Sequence, residues 1–197
     1  MKTQQIFFSI FLAGLLFTSC NHSDIRFINP QPIYLEPLSS IPLKFQGTFV
    51  INKDTIEVTD YTIDGDTINT NALVVKGWGN YLFVNQLDED YYSLTCAKLV
   101  SVWNVQEITL HRFEILDGLV DDFLAKNDTT NLSELEIDNM FVQMLQDQIY
   151  NGNNNIVEID STDGKMNFFV LDDLSVNEFQ TLLNKSQENA SSAVKIK

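Results

Sequence analysis

Histidine and cysteine, the residues that most often carry covalent or metal chemistry, number only two each in this 197-residue chain. Two cysteines close one disulfide at most, which excludes a disulfide-stapled scaffold, and they leave too few soft ligands for a Cys/His zinc site. Positive charge is also scarce: 12 Lys and Arg face 27 Asp and Glu, for a net charge of −15. Such a surface repels polyphosphates, so no nucleic acid is expected as a partner, and adhesion of the body to anionic lipid is disfavoured. Proline occurs four times, and only between Pro30 and Pro42. No apolar run reaches the ~20 residues of a spanning helix.

Apolar residues are abundant. They make up 44% of the chain and include fourteen Phe, enough to build a core and to exclude global disorder. The first twenty residues have their own layout. Met1-Lys2-Thr3-Gln4-Gln5 carries one positive charge, Ile6 to Phe17 is apolar apart from Ser9 and Gly14, and small Thr18 and Ser19 precede Cys20. A basic start, a short apolar stretch and small residues at a cut site define a secretory signal. Removing residues 1–19 takes away Lys2 and leaves the net charge one unit more negative than −15.

Leu16-Phe17-Thr18-Ser19-Cys20 resembles the lipobox of bacterial lipoproteins. That resemblance implies a diacylglycerol on the Cys20 sulfur, cleavage before it, and acylation of the new amine. It also implies a bacterial cell-envelope location, at the outer membrane. Several acyl chains, at ~0.8 kcal/mol per buried CH₂, hold a protein at a bilayer without a spanning helix.

Beyond Cys20 the chain divides into a Pro-containing tether over 20–42, an antiparallel β domain over 43–115, an α+β segment over 116–185, and a flexible tail over 186–197. In the tether, Ile33, Tyr34, Leu35 and Leu38 are free to pack against the body. Ile56 and Val58 alternate with polar residues, the mark of a half-buried strand. Asp64-Gly65 signals a tight hairpin, and Gly77-Trp78-Gly79-Asn80 and Asp88-Glu89-Asp90 signal further turns. Leu116, Leu119, Val120, Phe123 and Leu124 then recur at helical spacing. A second helix is predicted over Asp138–Tyr150, ending at the Asn/Gly-rich stretch from Asn151. A hairpin follows around Asp163-Gly164, and Ser175-Val176-Asn177-Glu178 is a capping box that opens a helix with Phe179, Leu182 and Leu183 inward. The expected fold class is α+β: an antiparallel β-meander or small barrel, followed by two or three helices and a β-hairpin.

Phe45-Gln46-Gly47-Thr48-Phe49 resembles the opening strand of lipocalin-like proteins. The run from Thr55 through Tyr81-Leu82-Phe83-Val84-Asn85 to Tyr91-Tyr92-Ser93-Leu94 is similar to uncharacterised lipoproteins of Bacteroidetes. The likeness covers residues 41–115 and implies a β-barrel-like body with no known activity. Asp128-Thr129-Thr130 resembles the Asp-Ser/Thr-x sites of Bacteroidetes periplasmic O-glycosylation, which makes Thr129 a candidate acceptor.

Catalysis needs a positioned base. His22 lies beside the tethered cysteine, and His111 shares its strand with Phe113 and Ile115, where a packed imidazole is the ordinary reading. Cys96 lies between Leu94 and Leu99 and reads as a small core residue. Asp60, Thr62, Asp64, Gly65 and Asp66 match part of a calcium-loop spacing, but Asn71 replaces the bidentate Glu and a hairpin fits better. Adjacent acids such as Asp121-Asp122 and Asp172-Asp173 read as solvated faces. No catalytic, metal or cofactor set emerges. The remaining candidate is a ligand-binding group of Trp78, Tyr81, Tyr91 and Tyr92, whose amphipathic rings suit a cavity mouth. The expectation is a lipid-anchored, non-enzymatic binding or accessory protein. Its alternatives are an acidic immunity-type protein for a basic toxin, or a carrier of a small apolar ligand.

Overall fold

Short alternating segments joined by tight turns build most of the molecule, and a computed structural model shows how they pair. It describes residues 24–51, 53–102, 105–113, 156–162, 165–186 and 191–196, with Asn127, Glu136 and Met140 as isolated points. The strands are β1 (Asp24–Phe27), β2 (Gly47–Ile51), β3 (Asp54–Val58), β4 (Thr62–Ile63), β5 (Asp66–Thr67), β6 (Leu73–Trp78), β7 (Tyr81–Asp88), β8 (Tyr91–Val102), β9 (Val105–Arg112), β10 (Ile156–Thr162), β11 (Lys165–Leu171) and β12 (Ser191–Lys195). A 3-10 turn spans Leu43–Phe45 and a helix, α1, spans Val176–Ser186. Among the described residues the twelve strands form one sheet.

The hairpins arise where the turn chemistry demands them. Asp64 and Gly65 both have positive φ, 49° and 88°, between the paired residues Ile63 and Asp66. This is the two-residue turn that an Asp-Gly pair favours. The turn between β6 and β7 is shorter than expected: Trp78 pairs with Tyr81, so only Gly79-Asn80 lie in the loop and Gly77 stays in the strand. A Cβ at Gly77 would sit 3.0 Å from a Leu38 methyl, which would have to give way by a few tenths of an ångström.

The long β8 organises the sheet. Its edge toward β7 is paired from Tyr91 to Lys98. Its other edge pairs first with β1, at Ser93 and Tyr92, and then with β9 from Thr95 to Val102. Beyond β9 come β12, β2 and β3, and beyond β1 come β11 and β10. Ile41, Phe45, Phe49, Ile68, Leu73, Val75, Leu82, Ala97, Ile108 and Ala193 form one buried cluster. Residues of β6 and of β2 can share it only if the sheet curls, so this is the concave face. Its two ends are joined by residues 37–41: Pro37 bridges to Lys76, the Leu38 N–H donates to Val75 O, and the Ile41 N–H donates to Asp60 O.

Side chains alternate across β7 and β8, so the other face carries Phe83, Leu94 and Cys96. These join Ile25, Phe27, Phe113, Phe169, Leu171, Leu174, Phe179, Leu182 and Leu183 in a second buried cluster, where α1 packs. The Ser175 N–H donates to Glu178 Oε2 at 2.8 Å and the Glu178 N–H returns to Ser175 Oγ at 3.4 Å, the reciprocal cap its sequence foretells. The β10–β11 hairpin is also as expected.

Three expectations give way. The tether over 20–42 is built into the body from Asp24 onward: β1 pairs with β8 and runs parallel to β11, while Gln31, Pro32 and Ile41 are buried. The segment over 116–185, expected to pack on the β domain, instead contributes β10 and β11 to the same sheet through β1. The tail over 186–197 contains β12, paired with β9 through Ser191–Val194 and with β2 through Val194 and Lys195. Small side chains suit that slot, and Ala193 is fully buried in it. The helices expected over Leu116–Leu124 and Asp138–Tyr150 lie outside the described residues, apart from Met140, which is helical.

Candidate functional site

The four aromatic residues expected to share a cavity mouth are divided between two ends of the sheet. Trp78 and Tyr81 face each other across the β6–β7 turn. Tyr81 is opposite Lys98 on β8, and Tyr91 lies seven residues earlier on that strand, about 23 Å away at ~3.3 Å per residue. The Tyr91 ring meets Phe168 at 6.1 Å, and the Tyr92 hydroxyl donates to Asn71 O at 3.1 Å. Beside them the Arg26 guanidinium stacks 4.1 Å from the Phe168 ring centroid and pairs with Asp88 at 2.9 Å. This end is a structural clamp between β1, β11 and β7. The concave face between the two ends is occupied by the buried aliphatic and Phe side chains already named.

The other end, a rim, is different. It gathers the β6–β7 turn, the end of the β8–β9 ribbon, the start of β2, the chain after β3 and the exit of β12. The Ile41 N–H bond to Asp60 O and the Ile196 N–H bond to Thr48 O stitch the rim together. Lys44 donates to Gly79 O and to Asn80 Oδ1, tying the 3-10 turn to the β6–β7 turn. The four most exposed large apolar side chains among the described residues sit here: Leu43 at 78%, Ile196 at 61%, Tyr61 at 56% and Trp78 at 49%. Lysines frame them. Lys98 lies 5.4 Å from the Tyr81 ring, Lys44 lies 5.3 Å from Phe45, and Lys195 lies 5.9 Å from Phe49. These lysines stand among carboxylates, with Glu57 opposite Thr48 of β2, Asp60 after β3 and Glu107 opposite Val194. Sequence reasoning found Trp78 and Tyr81 but missed Leu43, Tyr61 and Ile196, because nothing local shows that three distant segments end at one rim.

Two buried polar groups lie on the helix-packed face. The Lys76 ammonium donates to Pro30 O at 2.8 Å and Pro32 O at 3.0 Å. Asn85 closes the same clamp, accepting from the Gln31 N–H at 2.6 Å and donating to Gln31 O at 2.8 Å. A Pro-rich segment offers carbonyls with few donors, so a buried cation suits it. Burial pushes the Lys76 amine below its ordinary pKa, while Glu36 and Asp173 oppose that shift. His111 is the second group, opposite Cys96 in the β8–β9 register. Burial lowers the His111 pKa, with the Ser186 backbone opposing and Lys98 adding to the effect. Burial raises the Cys96 thiol pKa, and the side chain is fully enclosed. Cys96 and His111 are both enclosed and pack as core.

The calcium-loop spacing over Asp60–Asn71 folds as the β4–β5 hairpin. Among the described residues no group of three or more His, Cys, Asp or Glu is placed to hold a metal, and no helix is long and apolar enough to cross a membrane. Cys20 and Thr129 lie outside the described residues. Comparison with protein families, characterised proteins and solved structures finds no match for this chain.

Proposed function

We propose that this chain is a lipid-anchored, non-enzymatic binding or accessory protein of the bacterial cell envelope, moored at the outer membrane through Cys20. The observation that carries the reading is the N-terminal sequence: a short apolar stretch from Ile6 and small Thr18-Ser19 directly precede Cys20. Strand β1 begins at Asp24. A body that starts four residues after the lipidated residue fits a protein that works at the bilayer surface. Its proposed partners are the membrane, through the anchor, and a basic protein or a small apolar ligand. We further infer helices over Leu116–Leu124 and Asp138–Tyr150, carried by their apolar spacing, and glycan attachment at Thr129.

The test is acyl incorporation. Cells fed a palmitate analogue should label the unsubstituted chain, and Cys20→Ala should abolish that label. A label that survives Cys20→Ala overturns the anchor.

A second reading, an acidic immunity-type protein that neutralises a basic toxin, draws on the excess of 27 acidic over 12 basic residues. It requires a complex whose affinity falls steeply with salt. The carrier of a small apolar ligand is the weaker alternative, since Phe49, Val75, Leu82 and Ile108 occupy the concave face.

A further inference from the structure

We propose that the rim bearing Leu43, Tyr61, Trp78 and Ile196 is a second, peripheral contact with the lipid bilayer, which holds the body upright against the membrane. The inference rests on the lipid-anchor reading and deepens it, by naming the surface that the anchor brings to the lipid.

Reach comes first. Four residue steps lead from Cys20 to Asp24, and even fully extended they span no more than about 14 Å. Strand β1 is antiparallel to β8, with Arg26 opposite Ser93 and Phe27 opposite Tyr92. The same register sets Asp24 level with Thr95, and β8 runs on for seven more residues to Val102. That is about 23 Å of strand, or roughly 16–19 Å along the axis for a sheet tilted as in small barrels. Strand β1 starts at its rim-side end and runs away from the rim. Only the β8–β9 tip lies past that reach; Tyr81 and its partner Trp78 are level with Lys98, three residues beyond Thr95 or about 10 Å of strand, within the ~14 Å over which Asp24 can hold the Cys20 sulfur. Acyl chains hold that sulfur at headgroup level, which places the rim in the headgroup region.

Chemistry selects this orientation over the inverted one. The opposite end of the sheet is closed by the β7–β8 turn, where Glu89 and Asp90 are exposed beside Asp88. An anionic leaflet repels that turn. The proposed rim carries exposed Leu, Ile, Tyr and Trp side chains framed by Lys44, Lys98 and Lys195. Trp and Tyr prefer the membrane–water interface, apolar side chains sink ~5–10 Å into the headgroup/acyl boundary, and lysines meet anionic headgroups. The overall negative charge disfavours adhesion of the body as a whole, yet at this end lysines stand beside the rings that line the rim.

The experiment reads which end touches lipid. Lipidated protein with Leu43→Cys, or with Asp90→Cys, is labelled with a thiol-reactive fluorophore; Cys96 is fully buried and leaves the introduced thiol as the reactive one. Each is reconstituted into vesicles of phosphatidylethanolamine and phosphatidylglycerol that contain a nitroxide-bearing lipid. The label at position 43 should be quenched about threefold more than the label at position 90, as expected for a group at the headgroup/acyl boundary. Adding Trp78→Glu and Ile196→Glu should bring quenching at 43 down to the level at 90 while the protein still floats with the vesicles. Equal weak quenching at both positions in floating protein, or stronger quenching at 90, overturns the rim contact and leaves the anchor standing. Protein that does not float with the vesicles removes the anchor reading, and the rim contact falls with it.

Discussion

Two apolar clusters lie back to back across β7 and β8, and they are assembled in opposite ways. The concave cluster is filled mainly by the consecutive strands β2 to β9, with Ala193 as its one late contributor among the described residues. The helix-side cluster is gathered from β1, β7, β8, Phe113, β11 and α1. It is also the more aromatic: Phe83 and Phe179 meet edge-on at 5.4 Å, and Phe27 and Phe113 at 6.3 Å. Such pairs add ~0.5–1.5 kcal/mol each beyond the area they bury. Flat rings filling a space between distant segments tolerate little loss. A cluster of adjacent hairpins has local turns to hold it in register.

The largest effect should come from removing the one strand that joins the early hairpins to β9. A chain ending at residue 190 lacks β12, which exposes the edges of β9 and β2 together and opens the concave cluster at Ala193. It should show no cooperative urea transition; an unchanged transition would mean that β12 is dispensable.

Next in size, Phe179→Ala should cost ~3–5 kcal/mol and Leu82→Ala ~2–5 kcal/mol, by loss of burial and by the cavity left. If the helix-side cluster yields less easily to collapse, Phe179→Ala lies toward the top of its range. Urea midpoints compare the two, and a smaller loss for Phe179→Ala would invert the comparison drawn here.

A pH series separates the clusters by a smaller amount, because the buried imidazole lies on the helix side. Burial holds the His111 pKa in the fold below its ordinary 6.5. Below about pH 6.5 the unfolded chain takes up a proton that the fold resists, so stability falls by up to ~1.4 kcal/mol per pH unit. Above that range this contribution is flat. The difference in unfolding free energy between the parent chain and His111→Phe should therefore change with pH only on the acid side. A pH-independent difference would show that His111 titrates normally.

The smallest effect is at the helix cap. Ser175→Ala removes the acceptor for the Glu178 N–H and should cost ~1 kcal/mol, seen as a small shift of the thermal midpoint. No shift would mean that the cap is held by packing of α1 alone.

The same contrast explains what could be read from the residues. Hairpins whose two strands are neighbours in sequence announce themselves, as at Asp64-Gly65, and the capping box at Ser175 and Glu178 did the same for α1. Strand β1 was hidden because its alternation, Ile25 and Phe27 inward with Arg26 between, lasts four residues and leads into prolines. Its parallel partner β11 lies more than a hundred residues later, and no local pattern encodes that pairing. Strand β12 was hidden for another reason: a slot between two strands admits small residues, so Ser191-Ser192-Ala193 carries no hydrophobic signal. The aromatic group was half legible. Ring chemistry marked Trp78, Tyr81, Tyr91 and Tyr92 as one group at a cavity mouth, while only the register shows the two pairs at opposite ends.

The direct test of the central claim is the intact mass of the mature protein extracted from membranes. An N-terminus at Cys20 carrying acyl chains, with residues 1–19 removed, is the expected result. A polypeptide that keeps those nineteen residues, or one whose Cys20 bears a free thiol, contradicts it.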